Sequence, residues 1–322
     1  MGVFTLNQLT KILNIRCPVI QGGMGNISNA QLTAAVSNAG GLGTIGCGTL
    51  GADEVERIIQ KTLQLTNRPF ALNIPLTVSG NVKALIRLAV DYKVPVISLS
   101  AGNPAPFIPY LHEQGIKVIS VVGTVKHAVK AAEAGTDIIV AEGFEAAGIN
   151  SPLETTTMTL IPQVADAVDV PVAAAGGIGD GRGMLAAFAL GAQGVQMGTR
   201  FIATAEAPFS EVYKQRVLSA VDTSTIIVGR SVGRTRRVLD GPYAKRLRES
   251  EKSGIEPEAF HQATSEKFHC IGALDGDEEH GFMNSGQIAG LVRTIPTVQE
   301  LIDQMMSEYD AQLKSLPPIF RG

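Results

Sequence analysis

The chain has no tryptophan, and aromatic residues make up only 5% of its 322 positions. Stacking platforms for nucleic-acid bases need aromatic faces, so that mode of binding is not indicated. Cysteine is scarce too. Cys17, Cys47 and Cys270 stand far apart, with no CxxC pair. This excludes a disulfide-built scaffold, argues against structural zinc, and fits a reducing compartment. No apolar run is long enough to span a bilayer, and the opening MGVFTLNQLTKIL lacks the apolar core of a secretory leader. Gly2 invites a myristoylation reading, but Leu6 stands where serine or threonine is wanted. The expected location is therefore the cytoplasm, with no membrane contact. Strong charge of one sign is also missing. The 27 basic and 30 acidic residues leave a net charge of −3, which gives no field for nucleic acid.

What the chain has in excess is glycine, with 35 residues, on a background that is 45% hydrophobic and 18% charged. Residues 170–201 read VPVAAAGGIGDGRGMLAAFALGAQGVQMGTRF. A short apolar strand ends at Gly176-Gly177, a helix follows and stops at Gly191, and a second strand ends at Gly198-Thr199. Two strands whose C-terminal ends both carry glycine turns present backbone N–H groups to one anion, a phosphate cradle. The plainer alternative is that these glycines serve tight connections only.

The same strand–helix rhythm extends upstream. Strand patterns lie at 18–21, 42–46, 70–74, 94–99, 117–122, 137–141, 170–175 and 194–197. Helical patterns lie between them at 28–38, 53–65, 81–91, 106–114, 125–134, 157–168 and 182–190. Near-continuous apolar strands alternating with helices predict a parallel sheet covered by helices. Eight units predict a closed (β/α)8 TIM barrel, with a doubly wound open sheet as the alternative. The rhythm stops after Phe201, and the text from Thr204 to about Gly281 is polar and helical with no convincing strand. The expected division is a barrel from 1–204 plus 281–322, with 205–280 a helical insertion over the C-terminal mouth, placed to act as a lid. A terminal helix over 298–313 puts Leu301, Met305, Tyr309 and Leu313 on one side, facing the core. The prolines at 317 and 318 stop it. A homodimer contact is the alternative use of that face.

Several positions carry candidate chemistry. Gly41 to Gly46 matches GxGxxG, but the glycines precede and enter a strand, so an ordinary turn is expected rather than a dinucleotide fingerprint. Gly22-Gly23-Met24 follows the first strand, where glycines admit a flat ligand close to the backbone. Asn73 and Glu142 end the third and sixth strands, the functional end of a barrel. A carboxylate directly after the run IIVA needs a partner, either a ligand hydroxyl or a buried basic group.

GGM at 22–24, LNI at 72–74, AGNP at 101–104, AEGFEAAG at 141–148, TTMTL at 156–160, AAGGI at 174–178, GTRF at 198–201 and SGQIAGL at 285–291 occur in this order. Together they resemble the FMN-dependent group that contains nitronate monooxygenase and the type II enoyl-acyl carrier protein reductase. The likeness covers nearly the whole chain, and the TTMTL and GQIAGL wording is nearer the reductase. The resemblance implies an FMN barrel reduced by NADH or NADPH. By that resemblance Gly176, Gly177, Gly198 and Thr199 hold the phosphate. Gly22, Gly23 and Met24 line the isoalloxazine, and Asn73 reaches its polar edge. Glu142 contacts the ribityl or pyrimidine region, Ala147 and Gly148 pass close to the ring, and Gln287 closes the site.

One position departs from the family. The family carries a histidine, the usual acid/base, where this chain has Ile149. Isoleucine transfers no proton. Asn150 next to it is a candidate substrate contact and a poor base. His112 and His127 are expected on the outside of the barrel, and His261, His269 and His280 to be solvated in the insertion, with a lid histidine swinging into the site as the alternative. The loss cuts unevenly between activities. Deprotonating a neutral nitroalkane needs a base, oxidising a preformed nitronate does not, and an enoyl acceptor needs a proton donor. The expected function is an FMN-dependent, NAD(P)H-linked enoyl-acyl carrier protein reductase of type II. The alternatives are a nitronate monooxygenase and a flavin-binding protein without turnover. Between Arg230 and Lys252 stand Arg230, Arg234, Arg236, Arg237, Lys245, Arg246, Arg248 and Lys252. They form either a solvated face or a docking surface for acyl carrier protein, coenzyme A or the nicotinamide cofactor.

Overall fold

A computed structural model describes residues 7–316. The readings at Gly2, Leu6, Pro317 and Pro318 lie outside the described residues. In chain order the strands are β1 (Val19–Gln21), β2 (Gly43–Gly46), β3 (Phe70–Pro75), β4 (Val96–Ser100), β5 (Lys117–Val122), β6 (Ile138–Glu142), β7 (Gly148–Ile149), β8 (Val172–Ala175), β9 (Gly194–Met197), β10 (Thr225–Val228) and β11 (Arg236–Leu239). Eight of them form one parallel sheet in the order β1-β9-β8-β6-β5-β4-β3-β2. A parallel bridge from Ile20 to Leu42 joins its two ends, supported by bonds from Leu42 N to Val19 O and from Gln21 N to Leu42 O, each 2.9 Å. The sheet is thus a closed (β/α)8 barrel with helices between its strands. All eight predicted barrel strands are present within two residues of their expected limits, because strands buried on both faces read as apolar runs.

The connecting helices start where side chains can accept the orphan N–H groups of a first turn. Asn29 caps the helix Ala30–Asn38 at Leu32 N. Thr124 caps Val125–Glu133 at His127 N, and Asp180 caps Gly181–Ala189 at Gly183 N. Inside the barrel Ile20, Leu42, Ala71, Val96, Ile119, Val140 and Ala173 pack together. Outside it, strand residues such as Ile139, Val172 and Val195 pack on helix residues such as Leu160, Val164 and Met184. Each such buried aliphatic side chain contributes about 1.5–3 kcal/mol. Gly43 is used for close packing, since a Cβ there would lie 1.9 Å from Thr33 O. The GxGxxG run is therefore helix-on-strand contact, as expected.

The terminal helix Val298–Ser315 opens with a capping box between Thr297 and Glu300 and packs on the helix Gly181–Ala189. Leu301 and Met305 are buried, and Tyr309 meets Phe188 edge-on with ring centroids 5.5 Å apart. Leu313 is exposed, contrary to expectation, and Val298 and Ile302 complete the buried face. The chain also has a first helix, Gln8–Leu13, that no pattern suggested.

The insertion is mostly helical, but it holds two strands where none was expected. β10 and β11 pair antiparallel, and β11 pairs with β7, which belongs to the loop after β6. The register sets Arg236 opposite Ile149 and Arg237 opposite Gly148. The sequence reading missed these strands because each is four residues long, one begins with two arginines, and the partner β7 has two residues. The β-branched run TIIV at 225–228 was the available signal.

Candidate active site

A cavity of about 790 Å³ opens at the C-terminal ends of the barrel strands. Glycine turns form one wall. Gly176 and Gly177 leave β8 with φ of +94° and +73°. A Cβ at Gly176 would lie 2.8 Å from Gly143 O, so any side chain there is both strained and blocked. Gly198 leaves β9 and starts the short helix Thr199–Ile202. The backbone N–H groups of Gly177, Gly198 and Thr199 donate to no described residue. The Thr199 hydroxyl accepts from Gly286 N at 2.9 Å, which ties the return segment to the cradle. The two strand ends therefore open onto one cavity with unused donors, the arrangement expected of an anion site.

The neighbouring strand end, after β1, supplies a flat approach. Gly22 N donates to Met197 O at 2.8 Å, which holds the loop after β1 against the end of β9. A Cβ at Gly23 would fall 2.4 Å from Asn73 Oδ1. Met24 sits at φ +51°, which is uncommon for a non-glycine residue. The Asn73 amide donates to Ser98 O, Ser98 Oγ and Ser100 Oγ, each at 3.3 Å. Asn73 is thus a strand residue on the cavity wall rather than a turn former. Glu142, at the end of β6, also borders the cavity and has no ion-pair partner among the described residues. Burial pushes its carboxyl up to about 7.

The cavity brings together Gly22, Gly23, Met24, Asn73, Glu142, Ala147, Gly148, Ile149, Asn150, Gly176, Gly177, Gly198 and Thr199. Gln287 is the exception. It is exposed and lies off the cavity wall, where Gly286 and Ile288 stand, while its backbone N–H donates to Glu145 O at 3.0 Å. Asn150 also stands on the cavity wall. Its amide donates to Ala146 O at 3.1 Å and Gly148 O at 2.9 Å, so both donors hold its own loop. Glu145 was not anticipated. Its carboxylate accepts from Thr157 N and Thr157 Oγ1, which fixes the loop after β6 to the start of the next helix.

The insertion supplies the remaining wall, and the histidine expectation fails there. His269, in the helix Glu266–Ala273, is 1% exposed rather than solvated. It borders the cavity and stacks on Phe282 with ring centroids 5.4 Å apart. Its Nδ1 lies 3.5 Å from Glu266 Oε2. The Asn284 amide nitrogen lies 3.2 Å from its ring nitrogens, and Asn284 Oδ1 accepts from Arg236 Nη1 at 3.2 Å. Because arginine only donates, Asn284 must present its oxygen to Arg236 and its N–H₂ to the ring. His269 then accepts on one nitrogen and donates Nδ1–H to Glu266. Burial opposes ionisation of Glu266, but the His269 hydrogen bond, the nearby charge of Arg236 and the Asn26 N–H at 3.4 Å outweigh it and hold the carboxyl below the usual range. The Tyr213 hydroxyl donates to Asn284 O and anchors the same segment.

His127 is exposed on the outer helix Val125–Glu133, as expected, and also reaches the rim of the cavity. His112 pairs with Asp137 at 2.8 Å on the outside of the barrel. The basic run is not a single surface either. Arg236 and Arg237 are only 7% and 4% exposed. Arg230 pairs with Glu154, Lys245 with Asp240, Arg246 with Glu279 and Lys252 with Glu249.

Comparison with known proteins agrees with this geometry. The family model for nitronate monooxygenase matches residues 7–84 and 76–308. A probable nitronate monooxygenase of Staphylococcus haemolyticus is 34% identical, over 98% of this chain and 99% of its own. A dehydrogenase of a methyl-oxo-octahydroindene carboxyl-CoA from Rhodococcus jostii is 33% identical, over 96% and 97%. The solved structure of FabK from Thermotoga maritima superposes with a TM-score of 0.93 at 39% identity, covering 97% of this chain and 99% of that one. The barrel, its cradle and these whole-length likenesses place the chain in the nitronate monooxygenase family, as an oxidoreductase.

Proposed function

We propose that the protein is an FMN-dependent oxidoreductase reduced by NADH or NADPH, acting on an α,β-unsaturated thioester as a type II enoyl reductase does. The observation that carries the flavin reading is the double cradle, with unused N–H groups of Gly177, Gly198 and Thr199 on one cavity and no room for a side chain at Gly176. The residues fit FMN. The cradle suits its phosphate, Glu142 and Asn73 offer polar contacts along its length, and the Gly22–Met24 loop gives a flat ring an unobstructed approach. When bound, the flavin would supply the electron-transfer chemistry. The chain's own residues would orient it, exclude water with residues 205–280 as a lid, and present the acceptor. Thioester preference is supported by the likeness to FabK, the type II enoyl reductase, and by the carboxyl-CoA dehydrogenase relative.

A second reading, nitronate oxidation, is favoured by Ile149. A preformed nitronate needs no base, and the apolar residue stands where the family's histidine does. Docking of acyl carrier protein falls to the exposed cations Arg230, Arg234, Lys245, Arg246 and Lys252, because Arg236 and Arg237 are buried. Purified protein should be yellow and should bleach when NADH or NADPH is added without oxygen. Reoxidation by a crotonyl thioester supports the first reading, and oxygen uptake that depends on propyl nitronate, without NADH or NADPH, supports the second. Protein that takes up no FMN refutes both.

A further inference from the structure

The wall formed by the insertion contains a buried guanidinium that no carboxylate among the described residues pairs with directly. Elsewhere in the insertion, Arg216 pairs with Glu278 at 2.8 Å, Arg230 with Glu154 at 2.6 Å and Arg246 with Glu279 at 2.9 Å. Buried Arg237 donates Nε and Nη2 to Phe144 O at 3.1 and 3.0 Å, and Nη1 to Thr225 Oγ1 at 3.2 Å. Arg236 differs from all of these. Its one hydrogen bond runs from Nη1 to Asn284 Oδ1, and its face covers the Phe282 ring at 5.0 Å. Nε and Nη2 donate to no described residue, yet they are not among the atoms sealed inside the protein, and Arg236 borders the cavity. Glu266 feels this charge, but its carboxylate is turned to His269 and Asn26 N.

Because Asn284 takes Nη1, the unused edge is the Nε–Nη2 pair. Two parallel N–H groups on one edge match the two oxygens of a planar anion, whereas a thioester offers a single carbonyl oxygen. The edge is also held in place. β11 fixes Arg236 opposite Ile149, and a Cβ at Gly148 would lie 3.7 Å from the Asn284 amide. Asn284 is in turn held by His269 and by the Tyr213 hydroxyl. We propose that the Nε–Nη2 edge of Arg236 anchors a planar two-oxygen anion on the substrate, beside Ile149. That anion is either a nitronate itself or a carboxylate carried on an acyl group. The proposal rests on the cavity being the reaction site, and it names the charge of the molecule that enters.

The test is calorimetry on the purified protein with two matched pairs, crotonate against crotonamide and propyl nitronate against 1-nitropropane. At least one anion should bind roughly tenfold or more tightly than its neutral partner, about 1.4 kcal/mol. Arg236→Gln should remove that preference while leaving the neutral partner's affinity within about twofold. Arg236→Lys, which keeps the charge without the fork, should recover part of it. A preference for nitronate alone identifies a nitronate substrate, and a preference for crotonate identifies a carboxylate-bearing one. Equal binding within both pairs in the unaltered protein overturns the proposal without any variant. So does a preference that survives in folded Arg236→Gln. Loading with FMN is followed separately by its absorbance, so a failure to load defeats the flavin reading while the anion preference is still read.

Discussion

The two sides of the cavity are built on opposite principles. The cradle side, at Gly176, Gly177, Gly198 and Thr199, is made of backbone on the rims of barrel strands. The lid side, at Arg236, His269, Asn284 and Glu266, is made of side chains linked in a hydrogen-bonded chain. Backbone donors are positioned by the sheet register, so that wall tolerates little change at the glycines and much change around them. The lid wall depends on each member being satisfied by the next, because an unpaired buried polar group is costly. The difference suggests a division of labour. On the function proposed above, the barrel would hold the cofactor and the insertion would select what enters.

The largest effect should come from breaking the cradle. Gly176→Val places a β-branched residue at φ +94° with its Cβ 2.8 Å from Gly143 O. FMN affinity, titrated by absorbance, should fall by at least roughly a hundredfold, since backbone strain and a blocked approach act together. A variant that still binds FMN normally would dissociate the cradle from the cofactor.

Restoring the family's residue should be next in size. Ile149 is 54% exposed, so Ile149→His costs little packing. Oxidation of neutral 1-nitropropane, followed by oxygen uptake, should rise by roughly a hundredfold as a general base is regained. Oxidation of preformed nitronate should stay unchanged. An equal rise for both would mean that the substitution acts through binding.

Glu142 gives a pH test of the barrel side. Its carboxyl titrates near 7 in the folded chain against an ordinary value of 4.5. The folded state therefore holds this proton more tightly than the unfolded state, and stability is lost as pH rises from about 4.5 to 7. Across that window the melting temperature of flavin-free protein should fall by a few degrees relative to Glu142→Gln, roughly 2–4 °C. Parallel pH curves for the two proteins would remove Glu142 as a buried, unpaired acid. The smallest effect belongs to the lid surface. Arg230→Ala breaks an exposed ion pair with Glu154 and should change unfolding free energy by less than about 1 kcal/mol. A larger change would show that the lid edge holds the fold.

The barrel and its cradle were legible in the text because their signals are local. An apolar run such as IIVA, ended by a polar residue, reports a strand buried on both faces, and Gly176-Gly177 reports a turn that only glycine makes. The lid was misread where its meaning is non-local. Arg236 and Arg237 look like surface charge in sequence, yet β11 pairs with β7 from a loop some 90 residues earlier and buries both. His269 looks solvated for the same reason. Nothing in KFHC announces that Asn284 and Phe282 will close over it. Gln287 erred in the other direction, because a match of motif wording does not say which side of a short helix faces the cavity.

From sequence alone follow the number and order of barrel strands, the glycines that leave their ends, and the loss of the family's histidine at Ile149. The first two depend on hydrophobic period and on backbone conformations that few residues allow, and the third comes from the resemblance to the family. Only the tertiary structure decided that the insertion returns a histidine and a guanidinium, and the segment after it an asparagine, to the cavity beside that position. Their burial and pairing come from chain segments brought together across the barrel mouth, and no spacing along the chain encodes which of them will meet.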